Sequence, residues 1–393
     1  MTRPFDVPSF IAPSGIDALA FGGFRVGQDS SLVQLQFPYA LNTQLTTATV
    51  ANNGTVTQAN SQALCTTGTT SNGSAILSGV VGPRYTPGQG LIARFTGRFT
   101  LGVASSTQII GLGNGTDGFF FGFNGATFGI LHRNNTTDTW IPQTTWNGDT
   151  FDAHGLSGAQ LFYENLNVFA IRMQYLGAGS IDFFIEDPTT NRLVRVHTIR
   201  YANSVLVPSV TDPALGFYMQ ALNSGNTSSL VCATASVSIA TEGPPNKTGV
   251  RGSLVFRKTA VGATTTNILT LKNATTFASK TNRIRTRILR VMWSAGGNQD
   301  TQFHGVKGAT LGGTPAYTDF DATTSVVSYD VAGTTVSGGR EILSAVVDSN
   351  NSAWEEPENL YLEPGEIITF GAQNIGAGGN IAPQVAVTFL EEW

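Results

Sequence analysis

Apolar and polar residues alternate along most of this chain, and Gly, Asn and Pro repeatedly break the pattern. That feature limits its folds more than any other. ARFTGRFTLGV (Ala93–Val103) sets Phe95, Gly97, Phe99 and Leu101 against Arg94, Thr96, Arg98 and Thr100. A period of two places each set on its own face of a strand. LNVFAIRMQYL (Leu166–Leu176), SIDFFIED (Ser180–Asp187), RLVRVHTIRYA (Arg192–Ala202) and SSLVCATASVSIAT (Ser228–Thr241) read the same way, with LGAGS and DPTTN as turns between them. No helical periodicity persists beyond a turn or two. The expected fold is all-β: two antiparallel β-sandwich domains of jelly-roll or lectin-like kind, preceded by an extended N-terminal arm.

The expected division is an arm over 1–45, a first sandwich over 46–243 and a second over 250–393, joined by the Pro- and Gly-rich TEGPPNKTG (Thr241–Gly249). Pro4, Pro8, Pro13 and Pro38 break the arm, leaving one short strand at Leu32–Phe37, and a partner subunit is the expected support for it. In the second sandwich, Val385, Val387 and Phe389 fall on one face of a final core strand.

Charged residues are only 12% of the chain, against roughly 25% in ordinary domains. Hydrophobic residues hold at 41%, so the chain is not of the disordered class. A net charge of −4 gives no electrostatic reason to expect nucleic-acid binding. MTRPFDVPSFIAPSG lacks the apolar core of a signal peptide, and no apolar run is long enough to span a bilayer, so synthesis in a cytoplasm without membrane insertion is expected.

Gly113, Gly115 and Gly118 fit G-x-G-x-x-G, but a phosphate loop must open a helix. FFFGFNGATFGI follows instead, reading as strand, turn, strand, with a type I′ turn expected at Asn124-Gly125 and Phe119, Phe121 and Phe123 on one face. No cofactor is expected. Among the four histidines no metal-ligand spacing occurs, and no G-x-S-x-G is present.

Asp152 and His154 in FDAHG read either as a turn cap or, with Trp140, Trp146 and Tyr163 near them in sequence, as a sugar-contacting loop. Asp149 and Asp152 are the one loop pair of carboxylates that a glycan-cleaving enzyme would use, and catalysis is not expected. Arg283, Arg285 and Arg287 in KTNRIRTRILR form the basic run. WEEPENLYLEPGE, with Glu355, Glu356 and Glu358, offers matching acids, either across a subunit interface or within one sheet. Cys65 and Cys232 are expected on neighbouring strands, either bridged or, as the absence of an export signal favours, as two buried free thiols.

Several of these stretches together resemble virion structural proteins of tailed bacteriophages and some large DNA viruses. The matching elements are T-T-G-T (Thr66–Thr69), R-Y-T-P-G-Q-G (Arg84–Gly90) and D-G-F-F-F-G-F-N-G (Asp117–Gly125), with TRILRVMWSAG, SVVSYDVAGTTVSGG and LEPGE in the C-terminal part. The resemblance covers most of residues 55–393 and implies a non-enzymatic tail, fibre, baseplate or head-surface component. Its arm would dock to other virion proteins, and the chain would assemble with copies of itself, a trimer by symmetry logic. The alternative is a carbohydrate-binding adhesin that meets a host surface glycan.

Overall fold

The computed structural model describes residues 29–80, 82–83, 85–243, 249–376 and 378–393. Of the expected arm, residues 1–28 lie outside this set. The chain divides into two compact units, Met1–Asn246 and Lys247–Trp393. Both are antiparallel β-sandwiches. Among the described residues the only helical element is a 3-10 turn at Gln143–Thr145, and no helix is long and apolar enough to cross a membrane.

The strands of the first unit are β1 (Asp29–Gln36), β2 (Thr46–Ala51), β3 (Thr55–Ala59), β4 (Gln62–Thr66), β5 (Ser74–Gly79), β6 (Leu91–Phe99), β7 (Ser106–Gly113) and β8 (Gly118–Asn124). β9 (Thr127–Asn134), β10 (Thr137–Pro142), β11 (Asn167–Met173), β12 (Ile181–Asp187), β13 (Arg192–Ile199), β14 (Gly216–Asn223), β15 (Val231–Thr234) and β16 (Ser236–Glu242) follow. One sheet has seven strands in the order β10-β9-β8-β7-β14-β5-β2. The other runs β13-β12-β11-β6-β15-β4-β3, with β16 joining β6 to β1.

The expected arm over 1–45, held by a partner subunit, does not include β1. Val33, Leu35 and Phe37 are buried in the first unit's core, and β1 pairs with β16 of its own chain rather than waiting for a partner. Three buried apolar side chains and a full ladder are what an isolated arm lacks.

Phenylalanines cement the two sheets. Phe121 of β8 meets Phe169 of β11 at 4.7 Å and Phe183 of β12 at 5.4 Å, and Phe128 of β9 meets Phe99 of β6 at 5.5 Å. Edge-to-face and tilted ring pairs of this kind add to the stabilisation from buried area. The expected hairpin at Asn124-Gly125 forms one residue further on. Asn124 pairs with Thr127, so Gly125 and Ala126 make the loop. Gly125 has φ +58° while Ala126 is not among the positive-φ residues, the II′ rather than the I′ pattern. Asn135-Thr136, with φ 47° and 65°, makes the I′ turn between β9 and β10.

Cys65 on β4 and Cys232 on β15 are register partners, free and without exposed surface. Burial pushes the Cys65 thiol up to about 12 and raises that of Cys232 as well.

In the second unit a five-stranded sheet is built from Val250–Arg257, Gln384–Glu392, Arg285–Ser294 and Ser352–Glu355 in that order, with Tyr361–Leu362 also on Arg285–Ser294. A six-stranded sheet carries Thr266–Asn273 and Ile367–Asn374 at its centre. Val385, Val387 and Phe389 are fully buried between the sheets, with Trp293 against Phe303 at 5.1 Å.

Candidate functional site

Alternation along β8 sends Phe119, Phe121 and Phe123 into the sandwich core and Phe120 to the opposite face of the sheet. There Phe120 joins Ile109, Leu131 and Tyr218 in a second apolar cluster, with Ile76 and Trp140 packed on it. A sandwich needs one apolar face per sheet. The second cluster, on the outward face, has no part in joining the sheets.

Strand register sets the order of this outer face. One row runs across the sheet as Trp140, Leu131, Phe120, Gly111, Tyr218, Ser78 and Thr47. The next holds Asp138, Arg133, Gly118, Gly113 and Gly216. The glycines leave a slot that the Phe120 ring fills: its Cζ lies 2.3 Å from where a Cβ on Gly113 would stand and 2.4 Å from that of Gly118. Gly115, the middle glycine of the motif, faces open space. Thus the phosphate-loop spacing arises from a ring-packing requirement, and β8, not a helix, follows it.

Polar groups stand beside the aromatic row. Arg133 grips Asp138 with two hydrogen bonds, Nε to Oδ1 at 2.6 Å and Nη2 to Oδ2 at 2.9 Å. This fork geometry is rigid. The Asp138 bond, first among its causes, holds the Arg133 guanidinium above its ordinary pKa. The Arg133 carbon lies 5.9 Å from the Phe120 ring centre, and the Tyr218 ring lies 5.7 Å from it on another side. Burial raises the Tyr218 hydroxyl pKa, offset in part by Arg133. The Tyr218 hydroxyl points to Gln220 Oε1 at 3.5 Å.

Of the four residues expected to meet a glycan, only Trp140 lies on this face. Trp146 is 6% exposed, its ring against Phe121 at 6.1 Å and Phe128 at 6.3 Å, so the expectation that it contacts sugar is corrected: it is a core residue. Asp152 accepts from Thr150 Oγ1 at 2.7 Å and from the His154 amide at 3.0 Å, which makes it the cap of an exposed turn. The Thr150 bond leads in holding its carboxyl below the usual range. His154 extends into solvent, its Nδ1 2.9 Å from the Asp152 carbonyl. Asp149 is buried and accepts from the Phe151 amide at 2.9 Å and the Ser157 amide at 2.6 Å, a loop-organising role.

Sequence reasoning missed Arg133, Asp138, Phe120 and Tyr218. The signal was present: three successive phenylalanines in a strand must send one ring to the face opposite the other two.

Two arginines of the basic run, Arg285 and Arg290, find acids within the same chain. Arg285 pairs with Glu363 at 2.7 Å and lies 4.6 Å from the Tyr361 ring centre; Arg287 lies 5.7 Å from the same ring. Glu356 pairs with Arg290, Nε to Oε1 at 2.9 Å. The subunit-interface reading of Arg283, Arg285 and Arg287 against Glu355, Glu356 and Glu358 is therefore corrected for Arg285, whose acid is Glu363 of the same chain. Arg283 is exposed and precedes the strand, while Glu355 is exposed opposite Val291. Among the described residues no group of three or more His, Cys, Asp or Glu side chains is placed to hold a metal ion.

No protein-family model matches the chain, and no curated protein matches it. Among solved structures it is similar to the CBM2 module of the evolved Dit of Lactobacillus casei BL23 phage J-1, at 11% identity over 56% of this chain and 99% of that one, with TM-score 0.38. It is also similar to a glycosyl hydrolase family protein from Mycobacterium fortuitum (10% identity, 53% and 99% covered, TM-score 0.37) and to a seed lectin of Lotus tetragonolobus (7%, 55% and 100%, TM-score 0.36).

Proposed function

We propose that this chain is a non-enzymatic glycan-binding protein of a viral particle, and that the outer face of its seven-stranded sheet is the binding surface. The observation that carries the reading is half-buried Trp140 at the end of the outer row, set on a floor of buried Leu131, Phe120 and Tyr218 and beside the Arg133–Asp138 fork. A pyranose ring has an apolar C–H face and a rim of hydroxyls. Half-buried Trp140 offers a surface for the first, and Asp138, Arg133 and Gln220 offer acceptors and donors for the second. Placement in a virion is supported by the sequence resemblance and by a surface poor in charge, suited to durable β assemblies.

A glycan array probed with the full chain is the test for binding. Positive spots that Trp140→Ala and Arg133→Gln both abolish, with the melting temperature kept, are the expected result. Signals indifferent to both changes would move binding elsewhere, and a blank array would sink the carbohydrate reading. Mass spectrometry of purified particles tests the virion role separately.

A further inference from the structure

We infer that the outer face of the second unit's five-stranded sheet is a separate binding site for a carboxylate-bearing sugar chain. Strand register again defines the surface. Arg251, Leu390 and Arg287 form one row across three strands, and Ser253, Thr388 and Arg290 the next. A third row, Val255, Ala386, Met292 and Trp354, leaves three apolar side chains in solvent: Val255 is 53% exposed, Met292 44% and Trp354 64%. The bulge between Ile288 and Arg290 turns Arg290 outward beside this row, its guanidinium 5.4 Å from the Trp354 ring centre.

Between the arginines and the Glu356–Glu358 segment lies a groove of about 500 Å³. Three arginines line it against two glutamates, and Glu356 is already engaged by Arg290. Arg287 Nε is buried with no hydrogen-bond partner among the described residues. Arg251 and Arg287, which line the groove, make no ion pair among the described residues, so their charges are open to an incoming carboxylate. Arg251 and Arg287 stand two strand spacings apart, about 10 Å, which suits charges carried along an extended ligand better than one small anion. The partner is therefore amphipathic and acidic: ring faces for Trp354 and the apolar row, carboxylates for the arginines. A peptide read by a sheet uses the amides of an edge strand, whereas these groups converge on the face.

The test is calorimetry on the full chain with an oligogalacturonate and with its methyl ester, which keeps the sugar backbone and removes the charge. The acid form is expected to bind, more weakly as salt rises, and the ester to bind not at all. Arg251→Gln and Arg287→Gln should each raise Kd by about tenfold or more with the melting temperature unchanged. Trp140→Ala should leave this binding intact, which separates the site from the one on the first unit. Absence of oligogalacturonate binding, equal binding of acid and ester, indifference to both arginine changes or loss on Trp140→Ala would each overturn the inference, as would stronger binding of an oligoglutamate peptide.

Discussion

The ring of Phe120 occupies the place a side chain on Gly113 would need, with 2.3 Å between its Cζ and the position of that missing Cβ. Gly113→Ala must displace the ring or the strand, and overpacking of this kind costs about 1–3 kcal/mol. Gly115→Ala, in open space two residues on, should be near neutral. Urea unfolding of the two variants checks the contrast. Equal effects would contradict the packing account of the glycine spacing.

Trp140 and Trp146 should separate binding from folding. Trp146→Ala empties a core site among Phe121 and Phe128 and is expected to cost about 3–5 kcal/mol. Trp140→Ala removes a half-buried ring at the end of the outer row and should lose glycan binding with a much smaller stability change. Melts and array signals on the same preparations decide the matter.

Acid should loosen the first unit through its histidines. Burial lowers the pKa of both His132 and His197 below the ordinary 6.5. Around His132, Nε2 donates to the Ser209 carbonyl at 2.7 Å and Nδ1 accepts from the Tyr201 hydroxyl at 3.1 Å, a set that fits the neutral ring. In the unfolded chain both rings protonate near 6.5; in the folded chain they resist until lower pH. Stability from these groups is thus complete above about 6.5 and falls as pH drops through it toward the folded values. Denaturant midpoints between pH 8 and 5 should decline below 6.5, and the decline should shrink in His132→Gln.

Asp117 should add a second loss at lower pH. Burial works against its ionisation, but bonds from the Thr211 hydroxyl and amide, the Asn135 amide and the Thr116 hydroxyl outweigh it and lower the pKa below 3.8. Its contribution is present above that value and vanishes as pH falls past it. Asp117→Asn should be less stable than the parent at pH 7 and lose less on going to pH 3.

Both thiols should be silent in the native protein. A maleimide should label neither Cys65 nor Cys232 until denaturant is added, and then both, since neither has exposed surface. Fast labelling of the folded chain would mean that the β4–β15 pair opens readily.

Much of the fold was legible in local pattern. Period-two alternation identified the strands at Leu91–Phe99 and Gln384–Glu392, though the first was expected to run to Val103 and exposed Leu101 lies beyond its end, and the failure of any helix to follow Gly118 excluded the phosphate loop, because these features depend on neighbours in the chain. What tertiary structure alone decided was which faces meet which. Trp140 and Trp146 are six residues apart and look alike in sequence. One ends a row on the outer face, and the other is sealed under Phe121 and Phe128, because the strand holding Trp140 stops at Pro142 and the chain then turns inward. Likewise, the acids of WEEPENLYLEPGE meet the arginines only because Ser352–Glu355 and Tyr361–Leu362 both pair with Arg285–Ser294. Alternation gives a side chain one of two faces at short range. Which face is core, and what lies across from it, depends on pairings between distant strands, and those are set by the burial of the whole sandwich.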